Sequence, residues 1–329
     1  MKTLLKSFSI TIFIFVAIHT TEQNQNKFSD VTSKFKGGHS SFIFSLAVLS
    51  NGNLASGSGD KTIKVWNTND DSLKRTLSGH ANSVLSLAVL PINGHLASGS
   101  SDMSIKIWNP EDGSLQRTLN GHDDWVRSLA ALPNGHLASA SDDMSIKIWN
   151  PEDGSLIRTI NGHTGPVTSL AVLPNGYLAS GSYDHSIKIW NPEDGSLMRT
   201  LTGHDDWIRC LAVLPNGHVA SGSDDMSIKI WNPSEGSLQR TLSGHIHYVN
   251  SLAALPNGYL ASGSYDHLIN IWNPSDGSLE GTLSGHTESV SSLVALPNGF
   301  LASASLDKSI KIWNPNLIFS LSSRQLILI

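Results

Sequence analysis

Histidine, serine and aspartate recur together seven times in this chain, the residue set with which a hydrolase activates a nucleophile. The histidines are His39, His80, His122, His163, His204, His245 and His286, each preceded by glycine. The serines are Ser56, Ser98, Ser139, Ser180, Ser221, Ser262 and Ser303, and the aspartates Asp60, Asp102, Asp143, Asp184, Asp225, Asp266 and Asp307. A tryptophan follows each histidine by 27 or 28 positions: Trp66, Trp108, Trp149, Trp190, Trp231, Trp272 and Trp313. Acyl transfer needs one exposed nucleophile beside one anion site, whereas sevenfold copying at constant spacing is what a scaffold requires. The expectation is a non-enzymatic protein with no catalytic residue among these sets.

Other residues that could do chemistry lead no further. His95, His136 and His218 share one turn position but lie one or two whole repeats apart, too far for a common zinc ion. The stretch from Ser58 to Thr62 lacks the GxxxxGK[ST] spacing of a phosphate cradle. Cys210 is the single cysteine, which excludes an intramolecular disulfide, and its strand-like surroundings suggest an inert core thiol. No cofactor or metal is expected.

The elements that must position these residues follow from the repeat. Its period is 41 residues, with one of 42 where Ile92 is inserted in a turn. The fourth copy reads as strands over 166–173, 177–182, 186–190 and 196–201, separated by Pro-Asn-Gly, Tyr-Asp-His and Asn-Pro-Glu-Asp-Gly turns. Asn-Gly and Asp-Gly between β-rich runs favour hairpins because both residues tolerate the left-handed backbone. The 28 glycines and 13 prolines punctuate short Ile, Val, Leu and Trp runs throughout, an all-β signature. A four-stranded antiparallel sheet cannot bury both faces alone, so the copies must stack, and a closed ring leaves no end needing a cap.

The Gly-His pairs, the LASGSxD segments and the terminal IKIW resemble the WD40 repeat family over residues 31 to 314. The resemblance implies an all-β, seven-bladed β-propeller with four-stranded antiparallel blades. It also implies that the His, Ser, Asp and Trp of each copy form a buried hydrogen-bonded tetrad. Such a tetrad makes physical sense, since each buried polar group left unpaired costs about 1–3 kcal/mol. The chain departs from the family in one respect: the residue after each tryptophan is Asn, from Asn67 to Asn314, where the family usually has Asp. The family closes its ring by pairing an N-terminal strand into the last blade. Val31 to Lys36 is the expected segment here, with Leu317 to Leu321 as the competitor.

Partner choice should lie where the copies diverge. In propellers of this family, the residues three and five after the repeat histidine, and the residue before the tetrad aspartate, face the top rim and channel mouth. The first position holds Phe42, Ser83, Trp125, Pro166, Trp207, Tyr248 and Ser289. The second holds Phe44, Leu85, Arg127, Thr168, Arg209, Asn250 and Ser291, and the third Gly59, Ser101, Asp142, Tyr183, Asp224, Tyr265 and Leu306. Trp, Tyr and Arg gathered on one rim match interface hot spots, although some could instead satisfy one another at the surface. Copies three and five share Asp-Asp-Trp-x-Arg and copies four and six share Tyr-Asp-His, as if a two-blade unit had been duplicated. Two nearly equivalent sites are therefore expected, at Trp125, Arg127 and Asp142 and at Trp207, Arg209 and Asp224, suited to a basic or mixed-charge peptide.

The net charge of -5 supplies no positive field for nucleic acid, so protein or peptide partners are expected, with a monomeric propeller acting within a larger assembly. Residues 1–27 stand apart: Lys2 and Lys6 precede an apolar run from Phe8 to Ile18 and then a polar stretch. This is the layout of a secretory signal with a poor cleavage site, and an uncleaved anchor or a segment with no targeting role stays open. Export or membrane tethering of a structural or adhesion propeller depends wholly on that leader, through which any membrane contact would run; without it the location would be cytoplasmic. Residues 315–329 form a C-terminal tail ending in the apolar Gln325 to Ile329.

Overall fold

The computed structural model describes residues 38–315. The hydrophobic leader, both segments competing to close the ring and the C-terminal tail after Pro315 lie outside the described residues.

Each repeat folds into an antiparallel meander in which every strand pairs with its neighbours in sequence. In the fourth blade the strands are Val167–Val172, Leu178–Ser182, Ser186–Trp190 and Leu197–Thr202, within two residues of the sequence reading. Six blades have four strands, and the seventh contributes Val290–Ala295, Leu301–Ser305 and Ile310–Trp313 among the described residues. The first strand of each blade packs on the first strand of the next, and the seventh returns to the first, making a closed seven-bladed propeller.

The sequence pattern accounts for the layering. Every second strand, LASGS, LASAS or VASGS, is buried along its whole length because it lies sandwiched between adjacent blades. Its small residues are steric requirements. A side chain at Gly57 would meet Val84 Cγ1 of the next blade at 2.7 Å, and one at Gly181 would meet Ile208 Cγ2 at 2.6 Å. Each tetrad tryptophan packs against the preceding blade: Trp108 joins Ile63, Val65 and Leu77, while Trp66 closes the circle against Leu296, Ala302, Ile310 and Ile312 of blade seven. Burying an indole this completely contributes about 4–6 kcal/mol before chain entropy is set against it.

Polar contacts lock the blades in register. The side-chain oxygens of Ser45, Ser86, Ser128, Ser169, Ser251 and Ser292 each accept a backbone N–H from the first strand of the next blade, at 2.8–3.1 Å. Cys210 occupies the same place in blade five, where its thiol donates to the Val249 carbonyl at 3.5 Å. Nearer the outer edge, Arg75, Arg117, Arg158, Arg199 and Arg240 reach backbone carbonyls in the following blade's last turn.

The meander also defines two faces. The Gly-His segments and the turns carrying the tetrad aspartates lie on one, here called the top. The Pro-Asn-Gly and Asn-Pro turns lie on the other, the bottom.

Candidate functional site: the top face

Each His-Ser-Asp-Trp set comes together within its blade. Histidine Nδ1 lies 2.6–2.8 Å from the aspartate, and Nε2 lies 2.7 Å from the serine oxygen in all seven. The indole N–H donates to the same serine oxygen at 2.7–2.8 Å. The carboxylate that accepts from Nδ1 leaves Nε2 as an acceptor for the serine hydroxyl. The serine oxygen is thus enclosed by imidazole and indole, and these serines have no exposed surface for a substrate to approach.

The electrostatics follow from that enclosure. Burial opposes charging of His39 and His80 and lowers their pKa despite the neighbouring carboxylates. Burial alone would raise Asp102, but hydrogen bonds from Ser104 and His80 outweigh it and hold this carboxyl at about 2. Asp60, Asp143, Asp184, Asp225, Asp266 and Asp307 are lowered in the same balance. Burial pushes the Cys210 thiol up to about 12, which leaves it protonated and a poor nucleophile. No group of three or more His, Cys, Asp or Glu side chains is arranged to hold a metal among the described residues.

The three variable positions of every blade converge on the top face by a backbone device that the sequence does not display. Each first strand carries a β-bulge, and the unpaired residue is Phe44, Leu85, Arg127, Thr168, Arg209, Asn250 or Ser291. The bulge turns that side chain toward the axis, and all seven line one cavity of about 200 Å³ at the channel mouth, joined by Tyr183, Tyr265 and Leu306. The other two variable positions are tied together by a backbone bond. Asp142 donates its N–H to the Trp125 carbonyl at 3.0 Å, Asp224 to Trp207 at 2.9 Å and Tyr265 to Tyr248 at 2.9 Å.

The blade-three and blade-five sites share a core but differ in their surroundings. Arg127 forks onto both oxygens of Asp142, at 2.8 and 2.6 Å, and its guanidinium lies 4.7 Å from the Trp125 ring. Arg209 grips Asp224 in the same way. It also lies 5.3–5.9 Å from four rings, those of Tyr183, Trp207, Tyr248 and Tyr265. Tyr183 stacks on Trp207 at 4.0 Å and 10°, so blade four completes the blade-five site. The Arg-Asp-Trp core recurs in both blades, but the preceding blades bring Ser101 to one copy and Tyr183 to the other, so the two sites expected to be nearly equivalent have different surroundings. His247, not among the sequence candidates, stacks on Tyr265 at 5.3 Å. Its position holds Ser41, Asn82, Asp124, Gly165, Asp206 and Glu288 in the other copies, and only the fold shows which neighbour it meets.

Two consequences bear on recognition. Asp142 and Asp224 are occupied by arginine, so the carboxylates at the edge of this surface are those of Asp123, Asp124, Asp205 and Asp206. Trp125 and Trp207 stay 41% exposed and Phe42 45% exposed, although large apolar side chains nearby are buried. Phe44 meets Phe42 edge-on at 6.3 Å, and Gly59 leaves room for it.

A closed ring of seven antiparallel blades, six of them four-stranded among the described residues, each with an internal His-Ser-Asp-Trp network and a variable top rim, defines a β-propeller of the kind that typically presents surfaces to other proteins. The WD domain, G-beta repeat profile matches residues 30–67, 71–109, 113–150, 154–191, 195–232, 236–273 and 277–314, and the chain belongs to the WD40-repeat family. No curated protein matches it.

Proposed function

We propose that the propeller is a non-enzymatic interaction scaffold that takes a protein or peptide on its top face, centred on blades three to six. The observation carrying this reading is the pair of half-exposed tryptophans, Trp125 and Trp207, held rigidly at the rim by backbone bonds and backed by fixed arginines. Aromatic anchors that lose little freedom on binding have the character of hot spots. Arg127, Asp142, Arg209 and Asp224 act in this reading as positioning residues whose pairing keeps the rings in place, while Tyr183, Tyr248 and Tyr265 widen the apolar surface. Phe42 and Phe44 offer a second apolar patch on blade one. The carboxylates of Asp123, Asp124, Asp205 and Asp206 favour a partner segment carrying lysine or arginine. The tetrads serve to hold the blades, with no role in catalysis.

The test is affinity capture with residues 28–329, beside the W125A/W207A/Y248A variant, after circular dichroism establishes that both are folded. Enrichment of partners by the wild type and its loss in the variant is the expected result. Partners retained equally by both proteins would move recognition away from the top face.

A further inference from the structure

On the bottom face, the seams between blades differ in how one turn asparagine is paired. At the first three seams, a turn asparagine of one blade donates to a glutamate in the last turn of the next: Asn51 to Glu111, Asn93 to Glu152 at 2.8 Å and Asn134 to Glu193 at 2.8 Å. At the fourth seam the asparagine persists as Asn175, but the glutamate position is Ser234. The Asn175 side-chain oxygen accepts the Tyr177 N–H at 3.1 Å, and its amide N–H2 has no acceptor among the described residues. A groove of about 530 Å³ opens at this seam, between blades four and five.

The groove's chemistry complements the missing group. Arg199 and His218 line it, and no carboxylate does. Arg199 is fixed along one wall by donating to the carbonyls of Ser234 at 2.7 Å and Glu235 at 3.1 Å. Met198 is the bulged residue of its strand, 48% exposed, and with Tyr177 supplies an apolar surface. The fifth seam also lacks the glutamate, having Ser275 opposite Asn216, but Gln239 and His218 stand there in place of Met198 and Tyr177. Of these two seams without the glutamate, the fourth therefore combines an unpaired amide, a cation and an apolar wall.

We propose that this groove binds the glutamate side chain of an acidic partner segment with apolar flanks, its carboxylate taking the place that Glu111, Glu152 and Glu193 fill at the first three seams. A charge-assisted bond to the Asn175 amide, in the field of Arg199, would orient the segment, while Met198 and Tyr177 take a neighbouring apolar residue. This site stands apart from the top face and does not depend on the reading given for it.

The test uses the folded chain and a fluorescein-labelled Ala-Leu-Glu-Leu-Ala peptide, with the glutamine version as its partner, followed by fluorescence anisotropy. Binding of the glutamate peptide at least about tenfold tighter than the glutamine peptide is expected, since a charge-assisted hydrogen bond is at stake. Ser234→Glu supplies the internal carboxylate present at the first three seams and should weaken binding by about tenfold or more without lowering the melting temperature. Asn175→Ala should weaken it similarly, and W207A should leave it unchanged. Equal binding of both peptides, undiminished binding by the Ser234→Glu protein, loss of binding in W207A, or no binding at all would each overturn the proposal.

Discussion

Removing one tetrad serine tests whether these networks hold the fold, and Ser139→Ala in blade three is the sharpest case. The hydroxyl stands 2.7 Å from His122 Nε2 and accepts the Trp149 indole N–H at 2.8 Å. Alanine fits the same space and leaves both groups buried without a partner, in a place where Trp149 is 1% and His122 6% exposed. At about 1–3 kcal/mol for each abandoned group, the cost is about 2–6 kcal/mol, centred near 4 kcal/mol. The assay is urea unfolding followed by tryptophan fluorescence, with the midpoint expected to fall and the slope to stay constant. A double-mutant cycle sharpens the test: Trp149→Phe removes the indole N–H, so adding Ser139→Ala to it abandons only the histidine. The double variant should therefore be more stable than the sum of the two single losses by about 1–3 kcal/mol. A loss under about 1 kcal/mol for Ser139→Ala, or strict additivity in the cycle, would refute the account.

Other expectations follow from the same geometry. Cys210→Ser gives blade five the oxygen that its counterparts use to accept an N–H from the next blade, and should raise stability by about 1 kcal/mol, read as an upward shift in urea midpoint. Met144 has φ of 66° and is exposed, so Met144→Gly should stabilise by about 0.5–1 kcal/mol in the same assay, because glycine relieves the left-handed strain. Acid should destabilise the fold in two stages. Below the ordinary histidine value of 6.5, the unfolded chain takes up protons that His39 and His80, lowered by burial, resist; below 3.8 it takes up protons that the tetrad carboxyls still resist, in the case of Asp102 down to about 2. Unfolding midpoints measured across that range should therefore fall from pH 7 downward, and a maximum near pH 5 would contradict the assignment.

Much of this architecture was legible in the sequence because its causes are local and repeated. Gly-His, LASGS and IKIW recur at one spacing, each copy supplies hairpin turns of known chemistry, and a sheet that cannot bury both faces alone must stack. Strand positions in the fourth blade therefore agree with the pattern to within two residues. The variable positions were also legible as positions, since divergence among internal copies needs no structure to be seen.

What they do was decided only by tertiary packing. A β-bulge leaves no mark in residue types, yet it sends Arg127 and Arg209 toward the axis and gathers seven residues separated by whole repeats around one channel mouth. Adjacent blades then set the environment of each side chain. Tyr183 stacks on Trp207 because blade four abuts blade five, and the apparent twin at Trp125 has no such neighbour because blade two offers Ser101 at that position. On the bottom face, a serine at position 234 reads as one turn residue among many until the asparagine it fails to meet, 59 residues earlier, is placed beside it. The sequence by itself determined the repeating unit and its number, because hydrogen-bonding and hydrophobic requirements within a blade are met by residues close in the chain. The surfaces were left to the structure, because each is assembled from different blades and depends on how they pack.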